Sequence, residues 1–318
     1  MEEEVTSVNV SDERRNGKVR AGDETPGRRI PAGGMALNEA FSRPATMCRQ
    51  ATDVPSRVVS LAASSTEILF ALGAGDLLVG VSKYCDYPAE ALNKPRVGAF
   101  IKADYGAIER AKPDLVLTES HLQRDIVARL VDLNLTVLSL NPVTLSGVLD
   151  SILLIGKAVG REVQAEKLVA GMKARIEAVE RRAMERAWKP RVYFEEWAKP
   201  MIPAGGWEAE CVKLAGGVNV FSFPPHIHSR ERIISPEDVI RANPDLILVS
   251  WPGSSGRVRA EKIKQRKGWE AIEAVRKDRV FVIDDRLIVR PGPRLVEGLE
   301  TISELICRVA RENGRTPE

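Results

Sequence analysis

Lys112-Pro113-Asp114-Leu115-Val116-Leu117 in the first half of the chain is answered by Asn243-Pro244-Asp245-Leu246-Ile247-Leu248 in the second. In each phrase a helical stretch meets a proline that breaks it, and a short apolar run begins just beyond. A helix–stop–strand phrase repeated on this scale predicts two lobes of similar build. Working outward from the first copy, Val58-Val59-Ser60-Leu61 reads as a strand and Ser64-Ser65-Thr66-Glu67 as a polar turn with N-cap chemistry. Ile68 to Leu72 then reads as a helix stopped by Gly73. Leu78 to Val81 and Thr136 to Ser139 are further strands, with a helical stretch from Ile126 to Leu133 before the latter. Around the second copy, Arg191 to Phe194 and Val280 to Ile283 read as strands, Glu208 to Leu214 and Arg294 to Ala310 as helices. Apolar strands alternating with helices predict an α/β protein whose parallel sheets are covered on both faces, in two lobes.

Between the lobes the pattern is helical, from Leu145 to Val159 and from Glu162 to Ala187. Leu168, Met172, Ile176, Val179 and Ala183 recur at three- and four-residue steps and mark one apolar stripe. At 1.5 Å per residue a helix of about 26 residues is roughly 40 Å long, which suits a spine joining two lobes. The expected division is therefore 1–56 as a disordered extension, 57–143 as the first lobe, 144–189 as the helical spine and 190–314 as the second lobe. Residues 1–56 are rich in Glu, Arg, Gly, Pro and Ser and lack apolar periodicity, so they bury too little to offset their ordering entropy.

Composition narrows the function classes. The 318 residues carry 47 basic against 44 acidic side chains, a near balance that gives no reason to expect nucleic acid or an anionic membrane as partner. Cys48, Cys85, Cys211 and Cys307 lie far apart and form no C-x-x-C, so neither a disulfide framework nor a metal site is expected from them. No apolar segment follows the charged start and none downstream is long enough to span a bilayer, which makes the cytosol the expected location. A monomer is expected.

In open α/β sheets ligands sit beyond the carboxyl ends of the strands. The residues found there are Ser64 to Thr66, Tyr84 to Tyr87, Glu119 to His121, Glu195 to Trp197, Trp251 to Gly253 and Asp284 to Arg286, with Phe100 and Trp207 in adjoining loops. The set is rich in aromatics for a chain with only 5% of them, and Trp197, Trp207 and Trp251 all fall in loops of one lobe. Aromatics in a cleft suit a bulky, flat ligand. No P-loop, G-x-G-x-x-G, G-x-S-x-G or H-E-x-x-H occurs. Glu195-Glu196 and Asp284-Asp285 would serve an acid/base pair, but adjacent acids at strand ends are more often helix caps or solvated groups. His226 and His228 flank Ile227 and would share a face in an extended segment; exposed imidazoles in a mobile loop are the expectation, a metal or haem ligand the alternative.

Several phrases, in order, carry a family resemblance: LAASSTEILFAL at 61–72, VGVSKYCDYP at 79–88, PRVGAF at 95–100 and KPDLVL at 112–117. The second half adds EWAKPMIPAGGW at 196–207, LAGGVNVF at 214–221, NPDLIL at 243–248 and RPGPRLVEGL at 290–299. Over about residues 57 to 310 the chain resembles the cobalamin-binding members of the substrate-binding proteins that serve metal-chelate ABC importers. The resemblance implies two Rossmann-like lobes joined by one long helix with little hinge motion, a helical-backbone metal-receptor or chelatase-like fold, and a corrinoid clamped between the lobes. It implies no catalytic activity and no catalytic cofactor. It places Tyr84, Asp86, Phe100 and His121 on the first wall of the cleft, and Trp197, Trp207, Trp251 and Arg294 on the second. Members of the family dock on the importer's membrane subunit through one exposed Glu per lobe. The second-lobe position matches Glu237, whereas the first-lobe position falls at Gly106, where no charge is available; that residue and the missing secretion signal weaken the expectation of import. A ferric-siderophore or haem receptor is one alternative, and an enzyme acting on a corrinoid through Glu195, Glu196 or Asp285 is another.

Overall fold

The two Pro-Asp phrases fold alike in the computed structural model, which describes residues 54–254 and 256–313. In each, a short helix ends on a residue in the left-handed region, Lys112 at φ 46° and Asn243 at φ 41°, before the proline. The aspartate then pins one strand to another. Asp114 accepts from the amides of Ser56 and Arg57 at 3.0 Å, and Asp245 accepts from the amide of Arg191 at 2.8 Å. Their own amides return hydrogen bonds to the carbonyls of Arg57 and Arg191. Each aspartate thus ties its strand to the first strand of its own lobe, which is why the same phrase recurs.

The first lobe runs β1 (Val58–Ser60), α1 (Ala63–Ala71), β2 (Leu78–Val81), β3 (Gly98–Ala99), β4 (Lys102–Ala103), α2 (Tyr105–Ala111), β5 (Leu115–Glu119), α3 (Arg124–Asp132) and β6 (Val137–Leu140). Its sheet is parallel throughout, in the order β2-β1-β5-β6, while β3 and β4 form a separate antiparallel hairpin. Alternate residues feed two cores. Val58, Leu115 and Leu117 pack with Ile68 and Leu69 on one face; Val59, Leu61 and Val116 pack with Ile126 and Leu130 on the other. Ser64 to Glu67 do not form the expected capping turn. They lie inside α1, which starts at Ala63, and all four are buried.

Two helices follow, α4 (Leu145–Ala158) and α5 (Glu162–Met184), and they pack against each other. The spine is therefore a helix pair rather than one helix. At 23 residues α5 is about 35 Å long and stops three residues before the expected end. The reason lies elsewhere in the chain: the buried Arg186 turns away to donate to the Ala215 carbonyl at 2.6 Å and to Cys307 Sγ at 2.7 Å. Ile152, Ile155, Val169 and Met172 join the first lobe's core, while Val148 and Val179 join the second's. Each helix of the pair is shared between the two cores.

The second lobe runs β7 (Arg191–Ala198), β8 (Met201–Pro203), α6 (Gly206–Leu214), β9 (Val218–Asn219), α7 (Pro236–Ala242), β10 (Leu246–Val249), α8 (Ala260–Lys264), α9 (Glu273–Arg276), β11 (Val280–Val282), α10 (Asp285–Ile288) and α11 (Leu295–Glu312). The sheet order is β11-β10-β7-β8, with β9 also paired to β7. It is not wholly parallel as expected, because β8 runs antiparallel to β7 across a tight return at residues 199–200. A closing helix, α11, stitches the lobes: Val296 packs in the first core, Leu299, Ile302 and Ile306 in the second. Arg175 of α5 holds Glu300 of α11 through two hydrogen bonds of 2.9 and 2.7 Å.

Cys85 and Cys211 are buried free thiols and Cys307 is a partly exposed one; Cys48 lies outside the described residues. So does the expectation for residues 1–56, except its last three residues. There Val54 lies against Gly160, where a Cβ would meet it at 2.8 Å, and Ser56 holds Asp114, so the packed chain begins before Arg57. Among the described residues no helix is long and apolar enough to cross a membrane.

Candidate functional site

Both lobes turn their strand ends toward a shared cleft of about 380 Å³. From the first lobe it is lined by Phe100 of the β3–β4 turn, by Glu119 at the end of β5 and Ser120 to Leu122 beyond it, and by Asn141 to Val143 after β6. From the second come Glu196, the Gly205–Glu208 entry to α6, the 225–229 loop, Arg232, Pro252 and Val289. Gly206 makes the close approach possible: its φ is +52°, and a Cβ there would stand 2.5 Å from the Val143 carbonyl oxygen of the opposite lobe.

Of the eight expected ligand residues, Phe100, His121 and Trp207 line this cleft. Trp207 is oriented by its indole N–H, which donates to the Ile288 carbonyl at 2.9 Å. The other five stand outside the lining. Tyr84 is 44% exposed beneath the Lys83 ammonium. The Trp197 indole closes its own turn on the Lys199 carbonyl at 3.0 Å. Trp251 donates to Glu195 at 3.0 Å and packs on the second lobe's core.

Asp86 and Arg294 belong to a cluster that joins the lobes. Glu67, 3% exposed, accepts from Arg290 at 3.0 Å and from Arg294 at 2.8 and 2.6 Å. Arg290 also donates to Asp86 at 2.6 Å, and the Arg294 guanidinium lies 3.9 Å over the Tyr87 ring. The Asp86 carboxyl is held below its usual range by Arg290, against the opposing effect of burial. Two acids and two guanidiniums balance, so the cluster is neutral.

Of the acids considered for catalysis only Asp284 is a helix cap; Glu195, Glu196 and Asp285 are held by other partners. Glu195 is fully buried and accepts from Tyr193, Trp251 and both ends of Arg266, at 2.5 to 3.0 Å. Every lone pair faces a donor within a packed interior, and burial beside Glu195 raises the Tyr193 hydroxyl well above its ordinary value. Glu196 pairs with the largely buried Arg232 at 2.8 Å. Asp284 caps α10, and Asp285 accepts from the Gly253 amide at 2.9 Å.

Sequence reasoning did not single out Glu208 and Arg232, since a buried charge carries no local signature. The Glu208 carboxyl is pushed well up by burial and then by the charge of Glu196; burial also raises Glu196, against the pull of Arg232. Glu119 is raised to about 7 by burial, although the Ser64 hydroxyl donates to it. Burial thus shifts three of the cleft's carboxyls in the same direction, toward holding a proton more tightly. His226 and His228 are exposed, as expected, and both line the cleft. His228 meets His121 across it edge to face, ring centroids 4.9 Å apart. Burial, and then the charges of His228, Arg124 and Arg230, lower the His121 pKa.

A ligand cleft between two α/β lobes bridged by long helices, with its acids engaged in structure, defines a binding protein. The chain belongs to the family described as periplasmic binding protein, whose model matches residues 58–287. It is 31% identical over 86% of its length to the uncharacterized ABC transporter substrate-binding lipoprotein YvrC of Bacillus subtilis, covering 85% of that protein. It is 29% identical over 77% of its length to the vitamin B12-binding protein of Vibrio cholerae, covering 87% of that protein. Among solved structures, the periplasmic vitamin B12 binding protein BtuF of Vibrio cholerae superposes with a TM-score of 0.68 at 25% identity, over 81% of this chain and 98% of that one. The apo periplasmic heme-binding protein RhuT from Roseiflexus sp. RS-1 superposes with 0.69 at 25% identity, over 80% and 99%. The fold is that of these receptors, and the family is non-catalytic. The relatives include both vitamin B12- and heme-binding proteins, so membership alone does not choose between those ligands. The expected cytosolic location is overturned: the family and these solved relatives are periplasmic.

Proposed function

We propose that the cleft binds a corrinoid, cobalamin or a close relative, outside the cytoplasm, and hands it to an ABC importer. The charge of the lining carries this reading. Glu119, Glu196 and Glu208 contribute carboxyls, while Arg232 is the one guanidinium among the described lining residues and is already paired with Glu196. Haem brings two propionates and would need cations that this lining does not offer. A corrinoid brings a cationic metal centre and a rim of amides, whose N–H and carbonyl groups can pair with the Glu119 and Glu208 carboxyls and whose apolar faces suit Phe100 and Trp207. The vitamin B12-binding relatives favour the same choice. Phe100, His121 and Trp207 are the proposed contacts. Tyr84, Asp86, Trp197, Trp251 and Arg294 are left to the surrounding frame.

Haem is the second reading, favoured by the two imidazoles meeting in the cleft and by RhuT. Tryptophan fluorescence and calorimetry with cyanocobalamin and with haemin separate the two. Saturable binding of cyanocobalamin with weaker or no binding of haemin supports the corrinoid. Haemin binding without cyanocobalamin binding sinks it. Importer docking is proposed at Glu237, exposed in the first turn of α7. Gly106 holds the corresponding place in α2, so the first lobe brings no acid there.

A further inference from the structure

The chain has three histidines, and all three line the cleft. They come from both lobes, His121 after β5 and His226 and His228 from the 225–229 loop. Among the described residues no group of three or more His, Cys, Asp or Glu is placed to hold a bare metal ion. A metal that arrives already bound by four in-plane nitrogens needs no such group. It lacks only an axial donor, which one imidazole supplies.

We propose that His121 is an axial ligand to the cobalt of the bound corrinoid. This rests on the corrinoid reading above. The two lobes hold their imidazoles differently. His121 follows a strand end fixed at several points: the Ser120 amide donates to the Leu140 carbonyl at 2.8 Å, and the Glu119 amide donates to Gln123 Oε1 at 2.6 Å. Gln123 in turn donates to the carbonyls of Leu61 at 3.2 Å and Phe100 at 2.6 Å. Ser120 itself sits at φ 72°, a conformation that a non-glycine residue keeps only when its surroundings impose it. His228 belongs to the loop leading into the single turn at Ser229–Arg232. With the rings 4.9 Å apart no metal fits between them, so a ligand must part them, and the less anchored His228 is the one to give way.

The step is a ligand exchange. Water leaves a cobalt(III) axial position, a lone pair of an imidazole nitrogen takes its place, and no electron changes hands. Corrinoids with an exchangeable axial water, aquocobalamin or diaquacobinamide, therefore undergo it, whereas cyanocobalamin, with both axial positions filled, binds without it.

Visible spectra of the full-length protein with aquocobalamin at pH 7.5 test the proposal. The reference is the spectrum of the same corrinoid with free imidazole. The expected result is an imidazole-adduct spectrum at one equivalent of protein, lost in His121→Ala and kept in His228→Ala. The circular dichroism spectrum and urea midpoint of His121→Ala should match those of the wild type, which shows that the variant is folded. Corrinoid binding with no adduct spectrum overturns the axial ligand and leaves the corrinoid reading standing. An adduct that survives His121→Ala and vanishes in His228→Ala overturns the assignment to His121. Binding of no corrinoid at all removes both.

Discussion

Replacing Glu67 by Gln probes the cluster that joins the lobes at one carboxylate. Glu67 takes three charge-assisted hydrogen bonds, at 3.0, 2.8 and 2.6 Å, and its side chain is 2% exposed against 16% and 12% for Arg290 and Arg294. Gln keeps one acceptor oxygen but removes the charge. Arg290 then keeps only Asp86, itself about a third exposed, as a paired carboxylate, and Arg294 loses its own. Breaking a buried pair from one side costs about 3–5 kcal/mol, because the remaining charge stays desolvated and uncompensated. The lower end applies here, since the Gln oxygen still accepts and Tyr87 still lies under Arg294. At about 2–4 °C per kcal/mol for a protein of this size, about 3 kcal/mol lowers Tm by roughly 6–12 °C. Urea unfolding and calorimetry of the wild type, Glu67→Gln, Arg294→Gln and the double variant measure it. The expected coupling between the two positions exceeds about 1 kcal/mol. A loss below about 1 kcal/mol in Glu67→Gln, or additivity of the two changes, would refute the view that this cluster clamps the lobes.

Glu195→Gln leaves the partly buried Arg266 without its counter-charge, so stability should fall by about 3 kcal/mol in urea unfolding while ligand affinity holds; lost affinity in a folded variant would instead place Glu195 in the site. Trp207→Ala removes an aromatic wall of the cleft, worth about 2 kcal/mol of burial, and should weaken corrinoid binding roughly 30-fold by calorimetry. Unchanged affinity would move the ligand elsewhere. Glu208 has a carboxyl raised by burial, with Glu196 and Arg232 as its charged neighbours. The folded state keeps a proton there that the unfolded chain releases near the ordinary glutamate value, so stability is highest below that value and falls as pH rises toward the folded one. Urea midpoints at pH 5 and pH 8 should therefore drop less in Glu208→Gln than in the wild type; an identical drop contradicts the raised pKa.

The apolar runs made the architecture readable, because strands of a parallel sheet are buried on both faces and show it in sequence: Val58-Val59, Leu115-Val116-Leu117 and Leu246 to Val249 all lie where expected. Features set by distant partners were not readable. Ser64 and Glu67 look like a cap, yet their partners are Glu119, 55 residues away, and Arg290 and Arg294, 223 and 227 residues away. The end of α5 depends on what Arg186 reaches, Ala215 and Cys307. A return as short as β8 leaves too few residues to show a period. The same limit divides the site. Phe100, His121 and Trp207, which line the cleft, could be named as candidates because aromatic and imidazole side chains after strand ends stand out. Glu208 and Arg232 could not, because only the fold reveals that they are buried together.

Hydrogen exchange with and without a corrinoid tests the central claim most directly, since it reads binding and its location at once. Protection of residues 119–122, 141–143 and 205–208 together, from both lobes, is the expected result with cyanocobalamin. Protection confined to one lobe, or none at saturating ligand, would contradict a corrinoid held between the two.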